Sequence, residues 1–252
     1  MAEDMTPNRP RAKSRFAALS DFIWPRRSLV SGERTFGPVS PEDWAKLNFI
    51  TRPYCPQCGV PQPFDLGLDD RCAVCTADPP IWRRGRAAVA YDDVSRRPIL
   101  SLKRSGRRDG LETLANWMML AGHDLLNEAD LLVPVPLHYS RLMRRGFNQA
   151  GWLAEAISRK VSVPVQQDAL IRKRSTGSQE GLTLSQRETN VRGAFRVRPS
   201  REHCLKNRRI VLIDDVYTTG ATVSAATRAI LATKARSVDV LVLARVLRAT
   251  QI

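Results

Sequence analysis

The chain has 252 residues, of which 43% are hydrophobic, and its formal net charge is +15. This length suits one substantial α/β domain with a smaller module, and we expect a cytoplasmic protein because the chain has neither a membrane-spanning apolar stretch nor a secretory signal. The positive charge suits a polyanionic partner, which charge alone leaves open between a pyrophosphate-bearing metabolite, nucleic acid and an anionic membrane surface.

Residues 1–43 are predicted to form a basic, poorly ordered amino-terminal arm. Arginine and lysine are mixed there with proline and serine, without a sustained hydrophobic period. Such a composition is typical of segments that bury too little apolar surface to fold. We favour a solubilising tail over a specific binding arm.

A small module at 44–80 is predicted from four cysteines. Two residues separate Cys55 from Cys58 and Cys72 from Cys75, and thirteen residues lie between the pairs. This is the spacing of two knuckles that hold one tetrahedral Zn²⁺ ion between four thiolates. Four sulfurs leave no open position for water, so the zinc is expected to be structural. Two disulfides are the alternative, which a reducing cytoplasm disfavours.

Residues 81–252 are predicted to form an α/β domain with a doubly wound, mostly parallel sheet. From Arg86 onward, apolar runs with the period of strands alternate with runs that have the period of helices. The predicted strands are 87–91, 131–135, 209–213 and 238–246, and the predicted helices are 111–126, 149–160 and 221–232.

The predicted strand 131–135 runs into Val-Pro-Val-Pro-Leu at 133–137. Prolines turn the chain sharply, and a cis X-Pro bond would aim main-chain amides at an anion. Pro134, Val135 and Pro136 are therefore a candidate anion loop. Three arginines follow, at 141, 144 and 145, although they also fit a short helix coated with solvated charge.

Residues 172–198 are rich in basic side chains, and Gly177 and Gly181 give the segment flexibility. This composition predicts a mobile lid that closes over an anionic ligand and excludes water. A disordered basic insertion is the alternative. The candidate ligand-binding residues of the lid are Arg172, Lys173, Arg174, Gln179 and Arg187.

The segment 211–222 places two carboxylates and a small, hydroxyl-rich turn between a predicted strand and a predicted helix. Asp214 and Asp215 accept hydrogen bonds when ionised, which suits sugar hydroxyls. The amides at the start of a helix attract a phosphate dianion. A plain strand-to-helix turn with an exposed acidic pair and a threonine cap is the alternative. The predicted 5-phosphate loop consists of Thr218, Thr219, Gly220, Ala221 and Thr222.

This segment resembles the phosphoribosyl pyrophosphate (PRPP) signature of type I phosphoribosyltransferases, with Asp in place of the commoner Glu at 214 and a polar Tyr at 217. Over residues 44–246 the chain further resembles the ComF (competence protein F) family. The motifs that carry this resemblance are the paired Cys-x2-Cys, Leu102-Lys103, Val133-Pro-Val-Pro-Leu, Arg145-Gly-Phe-Asn-Gln, Arg172-x-Arg174-x4-Gln179, Arg187-x2-Asn190, Ala194-Phe195 and Ile213-Asp-Asp-Val-x-Thr-Thr-Gly-Ala-Thr.

The resemblance implies a phosphoribosyltransferase fold with an amino-terminal zinc ribbon, and a family linked to the uptake of transforming DNA. It implies that Asp214 and Asp215 hold the ribose 2- and 3-hydroxyls of PRPP and that residues 218–222 wrap its 5-phosphate. Mg²⁺ would accompany the pyrophosphate, because this hard ion prefers oxygen ligands. The activity implied is phosphoribosyl transfer with release of pyrophosphate, to an acceptor that the resemblance does not name.

A different class of function remains open at this point. The chain would then be a non-catalytic module for DNA processing that binds single-stranded DNA or a partner from the competence machinery such as a helicase. The charge favours this alternative, but single-strand binders usually interleave aromatic and basic residues, and only 6% of this chain is aromatic. The three histidines are interpreted as structural or solvent-facing, and Lys103 as an exposed helical lysine.

Overall fold

The computed structural model describes residues 26–64, 71–104, 110–173 and 193–247. Its centre is a four-stranded sheet in the order β1-β6-β5-β2, and every neighbouring pair in it is parallel. A separate antiparallel pair joins β3 and β4. The strands are β1 (Gly85–Ala90), β2 (Leu131–Pro134), β3 (Leu170–Arg172), β4 (Phe195–Val197), β5 (Arg209–Tyr217) and β6 (Ser237–Arg245).

Helices cover both faces of the parallel sheet, which explains why its strands are almost continuously apolar. On one face, Val240 and Val242 share a buried cluster with Val223 and Ile230. Side chains alternate along a strand, so Leu241 points to the other face, where a Cβ at Gly122 would lie 2.6 Å from its side chain. The described helices are α1 (Pro41–Ala45), α2 (Ala73–Ala77), α3 (Asp93–Arg104), α4 (Leu111–Ala121), α5 (His123–Leu126), α6 (Tyr139–Arg145), α7 (Gln149–Val161), α8 (Glu202–Leu205) and α9 (Ala221–Leu231).

The predicted doubly wound α/β class is confirmed, with two differences in its elements. The predicted helix 111–126 is divided at Gly122, which ends α4 and precedes α5. The predicted strand 209–213 continues to Tyr217, because β6 keeps pairing with it as far as the bridge between Tyr217 and Arg245. Asp214 and Asp215 therefore lie inside β5, and the 5-phosphate loop starts at Thr218, three residues after Asp215.

The amino-terminal compact unit comprises residues 1–45, of which 26–45 are described. Asp43 is buried, and its carboxylate accepts hydrogen bonds from the Ser28 and Ser31 hydroxyls at 2.5 and 2.6 Å. Although burial acts in the opposite direction, these hydrogen bonds lower the pKa of Asp43 to about 2. Within the predicted arm, residues 26–43 thus include a buried carboxylate with specific hydrogen bonds, and residues 1–25 lie outside the described residues.

None of the helices in the described parts of the chain has the length and apolar character that crossing a bilayer requires.

Candidate functional site

A cleft of about 660 Å³ opens at the carboxyl ends of β2 and β5. These strands are neighbours, and the Val135 amide donates to the Ile213 carbonyl at 2.9 Å immediately beyond β2. The Asn148 side-chain amide donates to the Val135 carbonyl at 3.0 Å and so fixes the loop from the other side. In open parallel sheets this edge is where ligands bind. The predicted anion loop and the predicted acidic pair are thereby brought into one cleft.

The acidic pair lies on the floor of this cleft and is half-buried. The Asp215 amide donates to Asp214 Oδ1 at 2.9 Å, and Lys103 Nζ of α3 lies 2.8 Å from Asp215 Oδ2. Burial, followed by the neighbouring Asp215 carboxylate, raises the pKa of Asp214 to about 7. The two carboxylates therefore differ, since one has a lysine partner and the other sits close to its protonation midpoint at neutral pH.

The predicted 5-phosphate loop joins β5 to α9. Gly220 precedes the first residue of α9 with a φ of 83°, a left-handed conformation that glycine adopts without steric cost. Thr218, Gly220 and Thr222 line the cleft, while the Thr219 hydroxyl accepts from the Ala221 amide at 3.3 Å. The loop thus places backbone amides and hydroxyls at the start of an eleven-residue helix, where the helix dipole favours an anion.

Cationic side chains also line the cleft, and together we call them its cationic wall. Burial lowers the pKa of Arg172, whose guanidinium carbon lies 5.3 Å from the centroid of the Phe195 ring. Burial likewise lowers the pKa of Arg145, and the nearby Asp215 carboxylate opposes that shift. Two carboxylates line the same cleft, so the described lining has a formal charge of +3 and suits a polyanion. The cationic side chains of the lining are Lys103, Arg141, Arg144, Arg145 and Arg172.

Other predicted site residues are distributed as follows. Val135 and Pro136 line the cleft, and Pro134 is the last residue of β2 just behind them. Lys173 continues from β3, where its amide donates to the Ala194 carbonyl at 2.8 Å, and it is not among the lining residues. The remaining lid candidates, Arg174, Gln179 and Arg187, lie outside the described residues.

The suggested cis bond in the anion loop is not present. Within the described residues the cis X-Pro bond is Arg52-Pro53, so the bonds before Pro134 and Pro136 are trans. The loop is shaped instead by its hydrogen bonds, which run from Val135 to β5 and from Asn148 to Val135.

Lys103 is the cleft residue whose role the sequence interpretation missed. Leu102 beside it is buried, and α3 turns the lysine towards Asp215. The Leu102-Lys103 pair was the available signal, but a lysine on a helix is usually solvent-facing. Only the placement of α3 beside the carboxyl end of β5 shows that Lys103 belongs to the cleft and is not an ordinary solvent-facing lysine.

The four predicted metal ligands come together in a cluster apart from the cleft. The Sγ atoms of Cys55, Cys58, Cys72 and Cys75 all lie within 4.8 Å of one another, and every cysteine among the described residues is a free thiol. A Zn²⁺ ion with Zn–S bonds of about 2.3 Å separates tetrahedral sulfurs by about 3.8 Å. The Cys58 and Cys72 sulfurs lie 3.7 Å apart, so the cluster could hold such an ion.

The raised pKa of Asp214 predicts a pH-dependent stability. Between about pH 4 and 7 the folded chain holds a proton at this carboxyl that the unfolded chain has released, so the free energy of unfolding falls as pH rises. From pH 5 to 8 the wild type should lose about 1 kcal/mol more than Asp214→Asn, roughly half of the full linkage value over that interval because the cleft admits solvent. Urea unfolding at both pH values measures this, and equal losses in the two proteins would contradict it.

Comparison with known proteins assigns the class of this domain. A family model described as a phosphoribosyl transferase domain matches residues 147–251. Among solved structures, orotate phosphoribosyltransferase from Aeropyrum pernix covers 63% of this chain and 80% of its own, at 15% identity and a TM-score of 0.35. Glutamine PRPP amidotransferase from B. subtilis covers 56% of this chain and 30% of its own, at 18% identity and a TM-score of 0.36. The family model places residues 147–251 in a phosphoribosyltransferase domain.

The curated relatives identify the family. DNA utilization protein YhgH of Escherichia coli is 33% identical over 198 residues, which cover 77% of this chain and 84% of that protein. Competence protein F of Haemophilus influenzae is 30% identical over 177 residues, or 68% and 76% of the two chains. Competence protein ComFC of Bacillus subtilis is 30% identical over 195 residues, or 74% and 75%. The chain belongs to this ComF/YhgH family, as the order of its motifs predicts.

Proposed function

We propose that this protein binds PRPP together with Mg²⁺ and transfers its phosphoribosyl group to an acceptor, with release of pyrophosphate. The observation that carries the proposal is the composition of one cleft, which an acidic pair, a helix-starting loop and a cationic wall line together. A sugar flanked by a phosphate and a pyrophosphate needs these three kinds of group in this arrangement.

Each group in the cleft has a part in the proposed reaction. Asp214 and Asp215 accept hydrogen bonds from the ribose hydroxyls and stabilise the positive charge that develops at C1 as pyrophosphate leaves. The loop 218–222 holds the 5-phosphate through its amides and hydroxyls. Val135, Pro136 and the arginines of the wall face the pyrophosphate and stabilise it as a leaving group. The oxygen-rich ligand and the carboxylates fit Mg²⁺, which supplies charge neutralisation to the pyrophosphate.

The cysteine cluster is proposed to hold a structural Zn²⁺ ion. Four thiolates are a closed ligand set for zinc, and such a set performs no chemistry because no coordination position remains for water. Reduced thiols of this kind are typical of the cytoplasm, where we place the protein.

Pyrophosphate release from PRPP tests the proposed activity. The purified protein with Mg²⁺ is incubated with PRPP and a panel of nucleobases and amines, with and without single-stranded DNA. We expect one acceptor to raise pyrophosphate release above the rate with PRPP alone, and Asp215→Asn to remove that increase. The exposed carboxylate Glu112 lies on α4 and pairs with Arg159, so Glu112→Gln is the matched control and should retain it. An unchanged rate with every acceptor would contradict transfer.

The surface of α6 favours a second candidate, a non-catalytic module that binds single-stranded DNA. Three arginines lie on this short helix, and Tyr139 and Met143 are 69% and 65% exposed beside them. An exposed aromatic ring among cationic groups is a platform on which a base can stack. The same panel decides between the candidates, since such a module would retain DNA with a steep dependence on salt and release no pyrophosphate.

A further inference from the structure

The cysteine cluster and the 5-phosphate loop are joined by a short chain of side chains. We propose that Arg245 and Tyr217 position the 5-phosphate loop and make it dependent on the metal held by the cysteine cluster. By the same contacts, a sugar phosphate bound at the loop tightens retention of the metal. This inference rests on the proposed function for its ligand, while the positioning contacts exist in the ligand-free chain.

The first step is the attachment of the first cysteine knuckle to the phosphoribosyltransferase domain. The carbonyls of residues 56–58 each accept a hydrogen bond from a side chain of that domain. Arg86 Nη1 donates to the Pro56 carbonyl at 2.9 Å. Trp82 Nε1 donates to the Gln57 carbonyl at 3.2 Å, and Arg245 Nη1 donates to the Cys58 carbonyl at 2.7 Å. The peptide groups that shape the knuckle are therefore held by the domain, and the orientation of these side chains depends on the knuckle.

Arg245 depends on this attachment more than Arg86 does. Both side chains are buried, but Arg86 has an ion pair with Asp124 at 2.8 Å. Within the described residues, no carboxylate lies within 4.0 Å of the Arg245 guanidinium. Its carbon lies instead 4.3 Å from the centroid of the Tyr217 ring. A buried cation is costly unless its charge is met by hydrogen bonds or a ring face. The Cys58 carbonyl and the Tyr217 ring therefore jointly fix the position of the Arg245 side chain.

The second step connects Tyr217 to the loop. Tyr217 is the last residue of β5, and its ring lies against the turn at Gly220, where an added Cβ would be 2.5 Å from the Tyr217 hydroxyl oxygen. Trp82 also touches this ring, edge-on with the centroids 6.1 Å apart. Two of the three side chains that hold the knuckle thus contact the ring on which the phosphate-binding turn rests.

The consequence is an energetic coupling between two sites that share no ligand. Loss of the metal frees the knuckle, which removes the carbonyl partner of Arg245 and loosens the ring behind Gly220. Coupling of this kind is reciprocal, so a ligand that requires the ordered loop must raise the affinity of the cluster for its metal.

The coupling is tested by the zinc affinity of the full-length protein, measured by competition with a chelator, with and without ribose 5-phosphate. Saturating ribose 5-phosphate is expected to raise the zinc affinity of the wild type about fivefold or more. In Arg245→Met the increase should disappear, while calorimetry still detects sugar phosphate binding. Arg159→Met, at an exposed arginine of α7 that pairs with Glu112 outside this chain of contacts, should keep the full increase. An unchanged zinc affinity in a wild type that binds ribose 5-phosphate would overturn the inference.

A second measurement needs no sugar phosphate and so separates this inference from the proposed function. Hydrogen exchange of residues 217–222 is compared between zinc-loaded wild type and zinc-loaded Arg245→Met, with α4 as the internal reference for an intact fold. Faster exchange in 217–222 with α4 unchanged is expected, whereas equal exchange in both proteins overturns the positioning role. If neither PRPP nor ribose 5-phosphate binds the wild type, the proposed function fails, and exchange alone then decides the coupling.

Discussion

Asp215→Asn is expected to lower the affinity of the protein for PRPP in the presence of Mg²⁺ by about 100-fold or more. The carboxylate lies in the cleft at the end of β5, where the ribose hydroxyls of the proposed ligand donate to it. Hydrogen bonds to a charged group contribute about 1.5–3 kcal/mol each, and every 1.4 kcal/mol corresponds to tenfold in affinity. The asparagine also removes the ion pair in which Lys103 Nζ lies 2.8 Å from Asp215, so the side chains on the cleft floor are held in place less firmly.

Isothermal titration calorimetry measures this effect, with Glu112→Gln as the matched loss of one carboxylate elsewhere. Glu112 is exposed and pairs with Arg159 and Lys160, so its removal should leave PRPP affinity unchanged. An Asp215→Asn protein that melts like the wild type and binds PRPP equally well would refute the role of the acidic pair.

Loss of the proposed zinc ion should be the most destabilising change. Structural zinc in small peptide sites contributes about 10–16 kcal/mol of apparent binding free energy, and here three of the four cysteines are buried. We expect Cys75→Ser, or removal of zinc by a chelator, to lower the free energy of unfolding by several kcal/mol. The knuckle carbonyls are bonded to Arg86, Trp82 and Arg245, so the damage should extend into the main domain.

Thermal unfolding together with the zinc content of the purified protein measures this prediction. Cys204→Ser is the control, because the Cys204 sulfur lies 3.2 Å from His203 Nε2 and outside the cluster. The control should keep both the metal and the melting temperature. The prediction fails if Cys75→Ser melts at the wild-type temperature.

The residues of the cleft were predictable from sequence wherever chemistry and chain position coincide. Asp214, Asp215 and the threonine loop follow an apolar strand directly, and the Val-Pro-Val-Pro segment does the same on the neighbouring strand. Because parallel strands end at a common edge, two such segments are expected to meet. The extension of β5 to Tyr217 was not predictable, since polar side chains at the end of a strand look like a turn until pairing with β6 is known.

The features that could not be predicted from the sequence depend on contacts between segments that are distant along the chain. Lys103 looks like any helical lysine until α3 is placed beside Asp215, 112 residues further along the chain. Arg245 ends an apolar strand and gave no signal of its contact with Cys58. The ordered segment 26–45 depends on Asp43 accepting from Ser28 and Ser31, a pattern without a hydrophobic period.

If the cleft binds PRPP as proposed, the ion pair between Lys103 and Asp215 gives it a means of selecting among pentoses. A sugar that uses its hydroxyls to engage Asp215 displaces the ammonium group, which then needs another anion. Free ribose carries no anion, so its binding would replace the Lys103–Asp215 ion pair by hydrogen bonds to Asp215 and would gain little binding free energy. A pentose that carries its own pyrophosphate would supply the replacement counter-ion in the same step, so the ion pair would discriminate against the bare sugar.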